Sequence, residues 1–285
     1  MLKAVSELLS RDAPPVLYHY TTQDGLLGIT RDRALWSTMS RYLNDTSEFR
    51  LAQRLAQEII LSYREKESDR VKRLLLGHLL KAVDRAGINV CVCSFTPNGD
   101  LLSQWRAYSG AGTGYSIGFD TAYLKAFADH YDYILAPCLY DTAEQLNFLG
   151  GIIEDTLAEN LADYEKNGEP SEFRIGGNLR YYLHRYALMI KDKAFAEEQE
   201  WRLISRPVTY TSDRVGFRSG KSTIVPYEAL SFLDDGRMPI IRVIVGPSPH
   251  PEEAVQAVDG LLYNRFDRRL DAPQVVTSAI PYRHW

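Results

Sequence analysis

The sequence predicts an α+β fold, with β-strands near both ends of the chain and two long helical stretches inserted between them. Three observations carry this. Runs such as "LYHYT", "INVCVCSF" and "IIRVIVG" are short, apolar or alternating, and bounded by turn residues. Residues 45–86 and 142–193 keep apolar side chains at helical spacing over many turns. No repeat, low-complexity tract or long linker divides the 285 residues, so both kinds of element belong to a single domain over 1–285.

In chain order, "MLKAVSELLSRD" fits a short amphipathic helix and lacks the long apolar segment of a secretory signal. "LYHYTT" is a strand that runs into a helix reaching about Arg31, with Thr21 or Thr22 as N-cap. "ALWST" is strand-like. The next helix is capped by Asn44 or Asp45, carries Glu48 in its first turn to complement the dipole, and aligns Phe49, Ala52, Leu55, Ala56, Ile59, Ile60 and Tyr63. A second helix, "SDRVKRLLLGHLLKAVDRAG", stops at Gly87. "INVCVCSFT" is a strand, "PNGD" a turn, and "LLSQWRAYS" a short helix before a glycine loop and the strand "YSIGFD". The stretch 142–193 is helical with a break near "KNGEPSEF". Strands resume at "EQEWRLISRPVTY", "STIVPY" and "IIRVIVGP"; a helix after "PHPEEAVQAV" and the strand "QVVTSAIPY" close the chain. Arg218 and Lys221 in "GFRSGKSTIVPY" read as an exposed basic hairpin.

A formal net charge of -4 excludes an overall basic field that would recruit nucleic acid. The apolar runs are too short to cross a bilayer, so no membrane partner is expected. Three cysteines, Cys91, Cys93 and Cys138, point to a reducing, cytoplasmic compartment. Cys91 and Cys93 share a strand face, but no second Cys/His cluster has zinc-like spacing; they read as buried thiols and no metal site is expected. Gly110, Gly112 and Gly114 precede a strand instead of opening a helix, and no Lys-Ser/Thr follows, which excludes a dinucleotide fingerprint or P-loop.

Three places could carry chemistry. His19 sits between Tyr18 and Tyr20 at a strand end, unusual company for a buried strand. In "EEQEWRLISRP", strand alternation puts Glu198, Glu200, Arg202 and Ile204 on one face; the ordinary reading is an edge strand with Glu200 and Arg202 paired across solvent, worth little. In "LLSQWRAYS", Trp105 and Tyr108 adjoin on a helix face beside Arg106, which ordinarily means core packing but also suits a planar ring and a phosphate.

The order of these motifs, "LYHYTTQDGLLGI", "RYLNDTSEF", "CSF", "LLSQWRAYS", "GYSIGFD", "EQEWRLI", "IIVGP"-like "VIVGP" and the closing "IPYR", resembles an uncharacterised bacterial family, domain of unknown function 2971, over nearly the whole chain. The opening strand and "GLLGI" helix are also similar to the first motif of ADP-ribosyltransferase-like folds. That resemblance implies central β-sheets with inserted helices and NAD as substrate. It implies that His19 binds a ribose hydroxyl, that Tyr20 or Thr21 offers a backbone clamp for the nicotinamide carboxamide, and that Tyr108 or Trp105 stacks on it. Glu200, with Glu198 second, would be the catalytic glutamate, and Arg106 or Arg202 would meet the pyrophosphate. "CSFT" is a loose analogue of the family's serine-threonine-serine motif, and "EWR" departs from its usual glutamate motif.

The activity so implied is cleavage of the nicotinamide–ribose bond, with ADP-ribose passing to a protein, a nucleic acid or water; a toxin or defence role would follow. Such cleavage builds positive charge on the sugar, which a fixed carboxylate stabilises. Two alternatives stand beside it. One is a catalytically silent module that binds a nucleotide or nucleic acid in the same cleft. The other is a protein-interaction role for the helices of 142–193, whose apolar "YYLHRYALMI" stretch is explained as simply by a buried core helix.

Overall fold

The computed structural model describes residues 2–43, 47–84, 88–109, 114–168, 172–220, 222–233, 239–266 and 273–281. Asn44, Asp45, Gly87, Gly110, Gly112 and Lys221 lie outside them, and with them the expected cap of the second helix and most of the glycine loop. Among the described residues the order is α1 (Lys3–Leu9), β1 (Val16–Thr21), α2 (Gln23–Asp32), β2 (Ala34–Met39), α3 (Ser47–Lys66), α4 (Arg70–Val83), β3 (Cys91–Phe95), α5 (Leu102–Tyr108), β4 (Tyr115–Asp120) and α6 (Thr121–Tyr131). There follow β5 (Ile134–Pro137), α7 (Thr142–Asn167), α8 (Glu172–Tyr186), β6 (Trp201–Ile204), β7 (Val215–Ser219), β8 (Ile224–Ser231), β9 (Ile240–Val245), α9 (Pro251–Arg265) and β10 (Gln274–Thr277). The fold is mixed α+β.

The strands form two sheets, one ordered β1-β4-β9-β10 and the other β5-β6-β3-β2-β8-β7. The six-stranded sheet is buried on both sides along β3, β5 and β6. Cys93, Phe95, Leu203, Leu135, Leu35 and Leu230 pack against Leu17, Ile117, Phe119, Val243 and Val245 of the other sheet. On its opposite face, Val92, Ile134, Ala136 and Ile204 join the apolar stripes of α3, α4, α7 and α8. The two inserted helical stretches therefore pack on each other and on one sheet. No helix among the described residues is long and apolar enough to cross a membrane.

Several sequence expectations are corrected. The segment after "YSIGFD" forms α6 and β5, which periodicity did not reveal; Asp120 caps α6 by accepting the Tyr123 amide at 2.7 Å. Helix does not continue to 193. It ends at Tyr186, and short 3-10 turns follow at Ala187–Met189 and Lys193–Glu198. The strand read from Glu198 onward begins only at Trp201, because Gln199 takes a left-handed backbone (φ 44) that no strand accommodates. Nor is β6 an edge: it lies between β5 and β3.

β1 explains the odd composition of "LYHYTT". Tyr18 packs so closely on Gly99 that a Cβ there would lie 2.6 Å from its ring, so position 99 has no room for a side chain. The Tyr20 hydroxyl donates to the Asn98 carbonyl and accepts the Leu101 amide, each at 2.8 Å, fixing the loop that launches α5. Asp100 completes that launch, accepting Trp105 Nε1 at 2.7 Å and the Ser278 hydroxyl at 2.6 Å. Thr22 caps α2 by accepting the Gly25 amide at 3.2 Å. Thr22→Ala should lower stability by about 1 kcal/mol in denaturant unfolding; an unchanged midpoint would show that the cap is idle.

Candidate functional site

β1 and β3 meet at one point and then part. Tyr18 and Thr96 exchange both backbone bonds, N–H to O at 2.7 Å and 2.9 Å. Continuing that antiparallel ladder would pair Tyr20 with Ser94, but the Ser94 carbonyl instead accepts His19 Nδ1–H at 2.9 Å. Alternate residues of a strand send their backbone groups to opposite sides. The Tyr20 amide and carbonyl therefore face the same way as those of Tyr18, into the gap, and neither is bonded outside the sheet among the described residues.

That gap is a cavity of about 50 Å³ lined by Tyr18, His19, Tyr20, Ser94, Phe95, Thr96, Gln104, Tyr108, Glu198 and Glu200. It has room for a few water molecules, or the end of a larger ligand. His19 lies against Phe95, ring centroids 5.8 Å apart, and its Nδ1 is 3.8 Å from Cys93 Sγ. A carbonyl only accepts, so Nδ1 must carry the proton and a neutral His19 has its lone pair on Nε2. Burial lowers the His19 pKa from 6.5, and the Arg218 charge lowers it further, against the Ser94 bond.

Across the cavity lies a buried ion cluster. Arg202 donates Nε to Glu200 Oε1 at 2.8 Å and NH2 to Glu200 Oε2 at 3.0 Å. It also forks onto Glu48, NH1 to Oε2 at 2.7 Å and NH2 to Oε1 at 2.8 Å, and gives its last N–H to the Leu188 carbonyl at 2.5 Å. Lys191 Nζ lies 2.5 Å from both Glu200 Oε2 and Glu198 Oε2, and 5.1 Å from the centre of the Phe195 ring. Glu48, Lys191, Glu200 and Arg202 are only 3–6% exposed. On its far side Glu48 also lines a second hollow of about 310 Å³, with Arg50, Leu51, Arg54 and Asp192.

Burial alone would raise the Glu200 carboxyl, but Arg202 and then Lys191 outweigh it and bring its pKa from 4.5 to about 2. Burial also works against the Lys191 charge, and Glu200 and Glu198 overcome it, raising its pKa. Burial, then Glu200 and Glu198, raise the Tyr108 phenol. Counted formally, three carboxylates (Glu48, Glu198, Glu200) stand against two cations, one net negative charge beside the cavity, and burial, outweighing Arg202, raises the Glu48 pKa from 4.5.

The structure thus brings together His19, Tyr20, Tyr108, Glu198 and Glu200. Others stand apart. Trp105 is buried, edge-on to Tyr20 at 4.7 Å, and does not line the cavity. Thr21 and the exposed Arg106 do not line it either. Arg202 is not available to a pyrophosphate, because all five of its N–H donors are spent on Glu48, Glu200 and Leu188. Its pairing with Glu200 is buried rather than solvent-bridged. Glu48 is no mere dipole partner, and Lys191 was not singled out in the sequence; its one signal there is a charge abutting the apolar run "ALMI". Among the described residues no cluster of three or more His, Cys, Asp or Glu could hold a metal ion.

Residues 104–203 match the family model described as "Protein of unknown function (DUF2971)", which establishes the resemblance to that family over this stretch. The match is narrower than the span over which the motifs read: it takes in Tyr108, Lys191, Glu198, Glu200 and Arg202 but neither His19 nor Glu48. No curated protein and no solved structure matches the chain.

Arg202→Met should cost about 3–5 kcal/mol in unfolding experiments, since it strands two buried carboxylates; a loss below 1 kcal/mol would mean that the cluster is solvated. The pH dependence carries a second expectation. A depressed carboxyl pKa contributes stability above its unfolded value, here 4.5, which is lost as pH falls toward about 2. The stability difference between the wild type and Glu200→Gln should therefore shrink over that window, and a difference flat in pH would contradict the assignment.

Proposed function

We propose that this protein is an ADP-ribosyltransferase-like enzyme, on a fold of that type, that cleaves the nicotinamide–ribose bond of NAD and passes ADP-ribose to a macromolecule or to water. The observation that carries the reading is that His19 and Glu200, far apart in sequence, line one cavity with an aromatic ring, Tyr108, beside them.

Each group suits a step. The neutral His19 offers Nε2 as an acceptor for a ribose hydroxyl, from a rigid strand rather than a loop. The Tyr20 amide and carbonyl form a donor–acceptor pair of the kind a carboxamide needs. Tyr108 supplies a ring face for the nicotinamide. Departure of nicotinamide leaves positive charge on the sugar, and the net negative charge of the Glu48–Glu198–Glu200 cluster, fixed in advance by Lys191 and Arg202, stabilises it. Glu198 has one oxygen on Lys191 and its side chain is 20% exposed, which leaves the other oxygen to take a proton from an acceptor.

A second reading has its own support. Both Glu200 oxygens are already engaged, Oε1 by Arg202 and Oε2 by Lys191 and Arg202, which favours a silent nucleotide-binding module over one that moves protons at Glu200. Nicotinamide release separates the two. The enzyme reading expects NAD cleavage by the wild type, reduced on the order of a hundredfold or more in His19→Ala and in Glu200→Gln. NAD binding without turnover, unchanged in Glu200→Gln, would establish the silent module. Neither binding nor cleavage with acceptors present would end both.

A further inference from the structure

The cavity beside His19 takes only the end of a ligand, and the sheet surface leading away from it carries groups with no role so far. Thr38 pairs with Tyr227 on one side and Val92 on the other, Trp36 pairs with Ala229, and Arg218 pairs with Val225. Directly opposed residues of antiparallel strands share a face, so Trp36, Thr38, Tyr227 and Arg218 project from the same face of the six-stranded sheet. Helices cover that face at Val92, Ile204 and Ala136. At Trp36, Thr38, Tyr227 and Arg218 it is only half-buried. The β2–β3 register ends at Thr38–Val92, and two residues further along β3 lies Ser94, the residue whose carbonyl holds His19. The open part of the face thus lies two residues along β3 from a wall of the cavity, which none of these four side chains lines.

Its chemistry is specific. The Trp36 and Tyr227 rings lie 4.9 Å apart and 34° from parallel. Arg218 reaches across β8 to donate NH2 to Thr38 Oγ1 at 3.0 Å, its one hydrogen bond among the described residues. Its Nε is buried with no partner, an unusual state for a group that offers five donors in a fork. The same guanidinium is near enough to His19 for its charge to be felt there. A guanidinium with a partnerless Nε–H, beside two rings that lie against each other, Trp36 also against Gly28 of α2, matches an anion attached to a planar base.

We infer that Arg218 and Thr38 form a phosphate subsite and that Trp36 and Tyr227 form the platform for a base, so that the surface binds a nucleoside diphosphate. This deepens the reading above, on which the ligand's other end enters the His19 cavity, and it assigns to Arg218 the part that Arg202 cannot play.

Calorimetric titration of the purified full chain with ADP tests it apart from any reaction. The wild type should bind ADP, Arg218→Gln should bind it at least tenfold more weakly, and Arg218→Lys should fall between the two, because charge remains without the fork. Arg218 lies on a surface hairpin, and an unchanged melting temperature of Arg218→Gln confirms that any loss is one of binding. ADP binding by the wild type that is lost in Arg218→Gln supports the subsite even where no nicotinamide is released, a result that would sink the enzyme reading alone. No ADP binding by the wild type, or equal affinity in Arg218→Gln, overturns the subsite.

Discussion

Arg202, sealed between Glu48 and Glu200, is the constraint on which the rest of the molecule depends. Its guanidinium ties α3 to β6, and its bond to Leu188 draws in the segment after α8. Lys191 extends the same knot to Glu198. Both inserted helical stretches are thus fastened, by charge-assisted bonds, to one end of one central strand. The cost of burying four charged groups is offset only because nearly every donor and lone pair is met. The arrangement fixes two carboxylates on a cavity wall with little freedom to move, as a preorganised electrostatic site requires.

The opposite wall has a different origin. β1 and β3 touch at Tyr18 and Thr96 and then diverge, so a strand that would have closed the gap with ladder bonds leaves it open. His19 fills the first vacant rung with its side chain, bonding the carbonyl that Tyr20 would have used. The tyrosines flanking it are structural: Tyr18 seats on Gly99, and Tyr20 anchors the turn that sends Tyr108 to the cavity. One wall is held by charge and the other by the Tyr18–Thr96 and His19–Ser94 bonds at the point where two strands part.

Much of this was legible in the residues, for identifiable reasons. α2, α3, α4 and the hairpin of β7 and β8 follow from periodicity and caps, which are local. The convergence of His19, Tyr108 and Glu200 was read by resemblance, not geometry, since no local rule places a strand end beside a residue so far along the chain. What stayed hidden is non-local. Glu48 fits the first turn of a helix so well that nothing hints at a partner at Arg202, and Lys191 looks like the solvated end of an apolar run. Gln199 breaks the strand with a left-handed backbone that its residue type does not advertise. Trp105 and Tyr108 are equivalent by spacing; only the bond of Trp105 to Asp100 and its seat against Tyr20 separate the packed ring from the available one.

The cluster also limits how such a chain can change over generations. Replacing any one of Glu48, Lys191, Glu200 or Arg202 leaves an uncompensated charge in the interior, whereas exchanging the group together for apolar side chains need not. Drift at these positions must therefore proceed in concert or not at all. Because they are scattered from position 48 to position 202, a recombination event that swaps either half of the chain between distant kin would tend to break the set.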